Sequence, residues 1–245
     1  MILHSSLPLV LAILFAATLI RSAFGFGEAL VAVPLLALIM PVNVAAPVAV
    51  LVSITVAGVV LVQDWSEVHA RSAGWLVVST VFGIPLGLLL LTHVAEAFVK
   101  AGLACVIVAF SVYSLVRTRP HALDHDRFAW LFGFSAGVLG GAYGMNGPPL
   151  VIYGALRGWS PRQFRATLQG YFFPASVMVL AGYWLAGLWT WDVNRDFLVS
   201  LPAILVAIFV GRAINRRMDG RRFLTYIYLG LIAVGVTLLL QAIKG

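Results

Sequence analysis

Arg21 and Glu28 are the only charges in the first long apolar stretch of the chain, and they straddle a glycine-bearing turn, Gly25-Phe26-Gly27. Charged side chains in an apolar surrounding are expensive, and they face a partner or a cavity. Two chemistries fit the spacing. The pair is either an ion pair that locks a hairpin, or a divided site in which Arg21 takes an anion and Glu28 a proton, since burial favours the neutral acid. A second element, "GAYGMNGPPLVIYG" (141–154), crowds Gly144, Met145, Asn146, Gly147 and Pro148 between apolar runs. Asn146 is a good N-cap, and proline is tolerated in a first helical turn. A helix is therefore expected from Gly147 or Pro148, its N-terminus pointing inward. Such an end carries roughly half a positive charge and unpaired N–H groups, and glycines let a ligand approach them. Two ends facing each other would hold a small oxyanion. The competing reading of the glycines is close helix packing.

Arg165 opens the run "RATLQGYFF", with Thr167 and Gln169 beyond it. It is read either as facing a vestibule for the anion or as an anchor at a helix end. Arg157 and Arg162 are read as anchors. Ser53, Thr55, Ser79, Thr80 and Ser176 sit within apolar spans as candidates for hydrogen bonds between helices.

The elements that must position these residues follow from the apolar segments at about 7–22, 28–40, 43–63, 72–92, 97–116, 128–143, 148–157, 163–187, 196–215 and 223–243. Each half holds one piece, a glycine break, a short piece and three full-length spans. A slide of 119 residues places "AFGF" (23–26) on "AYGM" (142–145) and Trp65 on Trp184. At 1.5 Å per residue the short pieces reach only about 15–20 Å, so each is expected to form a re-entrant or broken hairpin with the piece before it. The fold class expected is an all-α integral membrane protein of two inverted repeats, 1–116 and 128–245, joined by a cytoplasmic linker at 117–127. An odd number of crossings per half inverts the second relative to the first, the layout of many secondary transporters.

Composition agrees with this class. Of 245 residues, 62% are hydrophobic and 10% charged, against about 25% charged in soluble domains. The net charge of +7 lies in short connections rather than on a nucleic-acid face. With the connections at 117–127, 157–165, 212–222 and the loop ending at Arg71 placed inside, twelve basic residues are cytoplasmic, against Lys100, Arg195 and Lys244 outside. Both termini are then outside. The run from Leu7 to Ile20 lacks a preceding basic region, so no cleaved signal peptide is expected. Cys105, the lone cysteine, is read as a buried small hydrophobe. His121 and His125 follow Pro120 in a loop and are not expected to bind metal. No nucleophile elbow, nucleotide loop or HExxH motif is present, so an enzyme is not expected.

The stretches "GFGEALVAVPLL" (25–36), "GGAYGMNGPPLVIY" (140–153) and "WSPRQFRATLQGYF" (159–172) resemble the sulfite exporter TauE/SafE (TSUP) family of secondary transporters. The resemblance covers nearly the whole chain. It implies a multi-pass protein of the bacterial inner membrane that exports small sulfur oxyanions or organosulfonates, such as sulfite or sulfoacetate, by alternating access with possible proton coupling. It implies no metal and no cofactor. Glu28 and Ala29 stand where many relatives carry further glycines. The substrate-binding residues expected are Arg21, Gly25, Phe26, Gly27, Gly144, Met145, Asn146, Gly147, Pro148, Arg165 and Gln169, with Glu28 for proton coupling. The partners expected are a small anionic substrate and the lipid bilayer, with a homodimer as an option. A passive anion channel and a carrier of small carboxylates are the alternatives.

Overall fold

The computed structural model describes residues 3–64, 68–116, 126–215 and 220–244. The expectations for Arg117, Arg119, His121, His125, Arg216 and Arg217, and most of the linker, concern residues outside those described, as does the Trp65 match; so do the side chains of Arg221 and Arg222.

Ten α-helices follow one another, α1 (Leu3–Phe24), α2 (Glu28–Ala37), α3 (Val42–Asp64), α4 (Ala70–His93), α5 (Glu96–Val116), α6 (Ala129–Tyr143), α7 (Gly147–Leu156), α8 (Pro161–Leu185), α9 (Trp191–Asn215) and α10 (Gly220–Lys244), with a 3₁₀ turn at Asp126–Phe128 before α6. No strand occurs among the described residues. Among the described residues six helices, α1, α3, α4, α5, α9 and α10, are long and apolar enough to cross a membrane. The protein is thus a multi-pass helical membrane protein. α8 is equally long, but its first half buries Thr167, Gln169 and Tyr171, because it serves a polar interior rather than lipid.

α2 and α7 are ten residues each, and each follows a left-handed turn of backbone that glycine adopts without strain. Gly25 and Gly27 have φ of 85° and 98°, and Gly144 has 64°. At Gly144 the N–H groups of Gly144 and Met145 bond back to the carbonyls of Gly140 and Leu139, a Schellman stop that ends α6. α2 ends at Ala37 rather than near residue 40. The Leu38 and Ile39 N–H groups tighten onto Leu35 and Leu36 because the backbone before Pro41 leaves the α region.

The packing pairs α4 with α6, α1 with α9, α5 with α10, and α3 with α8; α4 also meets α8, α3 meets α9, and α2 touches α7. Along α4 and α6 the contact is backbone to backbone. A methyl group on Gly83, Gly87, Gly137 or Gly141 would collide with main-chain atoms of the facing helix, so small residues set the approach there. Ser79 and Thr80 cross the same seam to the Ala129 and Gly133 carbonyls, at 3.5 and 2.9 Å, and Thr80 meets the Tyr171 hydroxyl at 2.6 Å. Thr55 bonds only to its own helix, at the Leu51 carbonyl.

Cys105 is exposed, not buried. It lies on α5 one heptad from exposed Phe98 and one from exposed Val112. In a membrane protein the outer surface is as apolar as the core, so an apolar setting does not place a residue inside.

Candidate functional site at the meeting of two helix starts

The centre of the site is the Arg21 guanidinium, buried to 3% exposure near the end of α1. Its Nη1 donates to Glu28 Oε2 at 2.5 Å and to Ser53 Oγ at 2.7 Å, and Nη2 donates to Gln169 Oε1 at 2.8 Å. The guanidinium carbon lies 4.8 Å from the Phe172 ring centroid, a cation–π geometry. Gln169 Nε2 donates to the Gly25 carbonyl at 2.7 Å, and Ser176 Oγ reaches Ser53 Oγ at 3.3 Å. Four helices therefore converge on one cation: α1 supplies it, α2 its carboxylate, α3 a hydroxyl, and α8 an amide and a ring.

A cavity of about 20 Å³ adjoins this cluster, lined by the first turns of α2 and α7 and by Arg21, Ser53 and Phe172. One water-sized group fits such a volume, so the site is closed tightly around Arg21. Three polar atoms at it make no hydrogen bond: Arg21 Nε, Glu28 Oε1 and Asn146 Nδ2. Two are donors and one an acceptor, the last belonging to the carboxylate that already neutralises Arg21.

Of the residues singled out from the sequence, Arg21, Phe26, Gly27, Glu28, Asn146 and Gly147 line the cavity, and Gln169 holds Arg21 from behind it. Asn146 stands at the N-cap position of α7, but its side chain does not cap the helix; it lies beside the Tyr171 hydroxyl instead. Gly144 packs against α3, where a methyl group would press on the Ala46 carbonyl and Val50. Met145 and Pro148 are buried and do not line the cavity. Arg165 lays its aliphatic stem on Gly25, with Cγ 3.0 Å from where a Cβ would stand. The charged pair at Arg21 and Glu28 is thus an ion pair in this state.

Ser53, read from the sequence only as a candidate for a hydrogen bond between helices, also lines the cavity, as do Phe172, Ala29 and Leu30, which were not among the expected site residues. A signal for two of them exists in the chain. The 119-residue offset that overlays the two glycine turns carries Ser53 to Phe172, as it carries Gly27 to Asn146 and Glu28 to Gly147. All six line the cavity.

The class this defines is a polytopic helical membrane protein built around a buried ion pair, where two interrupted helices begin. The chain belongs to the sulfite exporter TauE/SafE family, whose match spans residues 9–238. It is similar to a protein of Cupriavidus necator (strain H16) named "Probable sulfite/organosulfonate exporter TauE", at 26% identity over 242 residues, covering 95% of this chain and 93% of that protein. No solved structure matches it. Membership places the chain in a family described as sulfite exporters.

Proposed function

We propose that the protein exports a small sulfur oxyanion or organosulfonate across the bacterial inner membrane by alternating access around Arg21. One observation carries this reading: a buried guanidinium shared by groups from three other helices, where the first turns of α2 and α7 meet. A planar fork of N–H groups suits the oxygens of a sulfonate. Helix starts and the Asn146 amide add further donors on the cavity side.

An anion that takes Arg21 must displace Glu28. A carboxylate separated from its cation at this depth is strongly disfavoured, so Glu28 leaves the pair as the neutral acid. A singly charged anion such as bisulfite and one proton then occupy the site together, and the loaded carrier has the same net charge as the empty one; a dianion needs a second proton for the same balance. Outward flux follows the anion's own gradient, with the proton balancing charge.

Support for two inverted halves comes from the packing. Exchanging α1–α5 with α6–α10 maps α4·α6 onto α9·α1 and α4·α8 onto α9·α3, and returns α2·α7, α3·α8 and α5·α10 to themselves. Under this reading 1–116 and 128–245 are the repeats, and their relative rocking opens the site to each side.

The test is efflux of labelled sulfite, sulfoacetate and short carboxylates from proteoliposomes. Saturable sulfur-anion efflux that acidifies the receiving side supports the reading. Short carboxylates moving in place of sulfur anions would reassign the substrate, and flux that never saturates would indicate a channel.

A further inference from the structure

The cavity at the opposite end of α7 is far larger, about 790 Å³, and nothing in the transport cycle above uses it. Arg71 from α4, Arg127 from the turn before α6 and Arg157 at the end of α7 line it, with Asp126 as the one carboxylate among the described residues. Three guanidiniums against one carboxylate leave a formal +2 on these four groups. Asp126 is already engaged, by Arg157 at 3.3 Å, by Ser72 at 2.8 Å and by Tyr153 at 2.7 Å, and Arg71 approaches it only to 4.0 Å. Arg71 is 81% exposed, and Arg127 lies over the Phe128 ring at 5.0 Å.

The walls are not those of a site for a small ion alone. Trp75 and Trp130 flank the mouth, each about half exposed. From Trp75 an exposed apolar stripe runs along α4 through Val78, Phe82, Leu86 and Leu89, and Phe82 meets the Trp130 ring of α6 at 5.3 Å between centroids. Tryptophan concentrates where headgroups meet hydrocarbon. Basic pockets between membrane helices bind anionic headgroups, each surface cation contributing to the attraction. A free oxyanion would use only the arginines. A lipid would use the arginines, the two indoles and the stripe together.

We propose that this cavity holds the phosphate of an anionic phospholipid, with its acyl chains lying along the exposed α4–α6 face. Because Arg157 ends α7 and Asp126 bonds both α4 and α7, the bound lipid steadies the end of the helix whose start borders Arg21.

The experiment is thermal unfolding of the full chain in detergent, titrated with dioleoylphosphatidylglycerol, dioleoylphosphatidylcholine or inorganic phosphate, for wild type, R71Q and R71Q/R127Q. Phosphatidylglycerol should raise Tm at concentrations where phosphatidylcholine does not, and inorganic phosphate should act only weakly. The double variant should need at least about tenfold more phosphatidylglycerol for the same shift. R71Q, at a mostly exposed side chain, gives a smaller change in the same direction and remains readable should the double variant fold poorly. Equal shifts by the two lipids overturn the proposal, as does an undiminished phosphatidylglycerol preference in the variants. A phosphate response as large as that to phosphatidylglycerol assigns the cavity to a free anion and overturns the lipid.

Discussion

Arg21 commits its terminal nitrogens to Glu28, Ser53 and Gln169, so its substitutions must be read as changes to a network. Removing one partner of a buried ion pair strands the other and is destabilising by about 3–5 kcal/mol. Arg21→Gln should therefore lose both stability and transport, while R21Q/E28Q should recover much of the Tm but not the efflux. Glu28→Gln strands the Arg21 charge and should also lower Tm, but its distinguishing readout is the proton. The variant keeps an acceptor for Arg21 but cannot take up a proton, so efflux should lose its dependence on proton movement; unchanged acidification in proteoliposomes would count against Glu28. Gly147 offers the complementary test. A methyl group there meets nothing within 4 Å, and the residue lines the cavity beside Arg21. Gly147→Ala should fold with Tm near wild type yet weaken anion-dependent stabilisation, because its methyl group takes up part of the small cavity.

At the level of elements, the seam between α4 and α6 depends on glycine because main-chain atoms occupy the place of a side chain. Gly137→Leu cannot be absorbed by a rotamer change, since the obstructing atoms are backbone at Thr80 and Gly83. Overpacking of this kind is destabilising by about 1–3 kcal/mol or more, and a fall in Tm should accompany it. α7 is tied at its far end by Asp126, where burial pushes the carboxyl up but bonds from Tyr153 and Ser72 and the Arg157 charge outweigh it and hold it below the usual carboxylate range. A depressed folded value means that the stability is fully present above the unfolded carboxylate's pKa, and is lost as pH falls through the folded one. Asp126→Asn should lower Tm at neutral pH and narrow the gap to wild type as the solution is acidified. A constant gap from pH 7 to pH 3 would show that the Asp126 charge does not matter.

For the whole molecule, three of the connections placed inside by charge share one cavity, since His69 and Arg71, Asp126 and Arg127, and Arg157 all line it. Their common side is therefore a property of the fold, and labelling can decide which side it is. In a Cys105→Ala background, Arg71→Cys should resist a membrane-impermeant maleimide in intact cells. Lys100→Cys, near the opposite end of the α4–α5 hairpin, should react. The reversed pattern would invert the orientation.

The sequence by itself determined the helices, the two interruptions and the charged pair, because apolar length, glycine with proline and the cost of buried charge are local properties. It also carried the 119-residue offset, which pairs Ser53 with Phe172. Only the tertiary structure decided that Ser53 and Gln169, 116 positions apart in the chain, bond the same guanidinium, that Asn146 leaves its cap position unused, and that Cys105 faces outward. Helix rotation about its axis decides such matters, and in a bilayer both faces of a helix are apolar, so periodicity does not record which face turns inward.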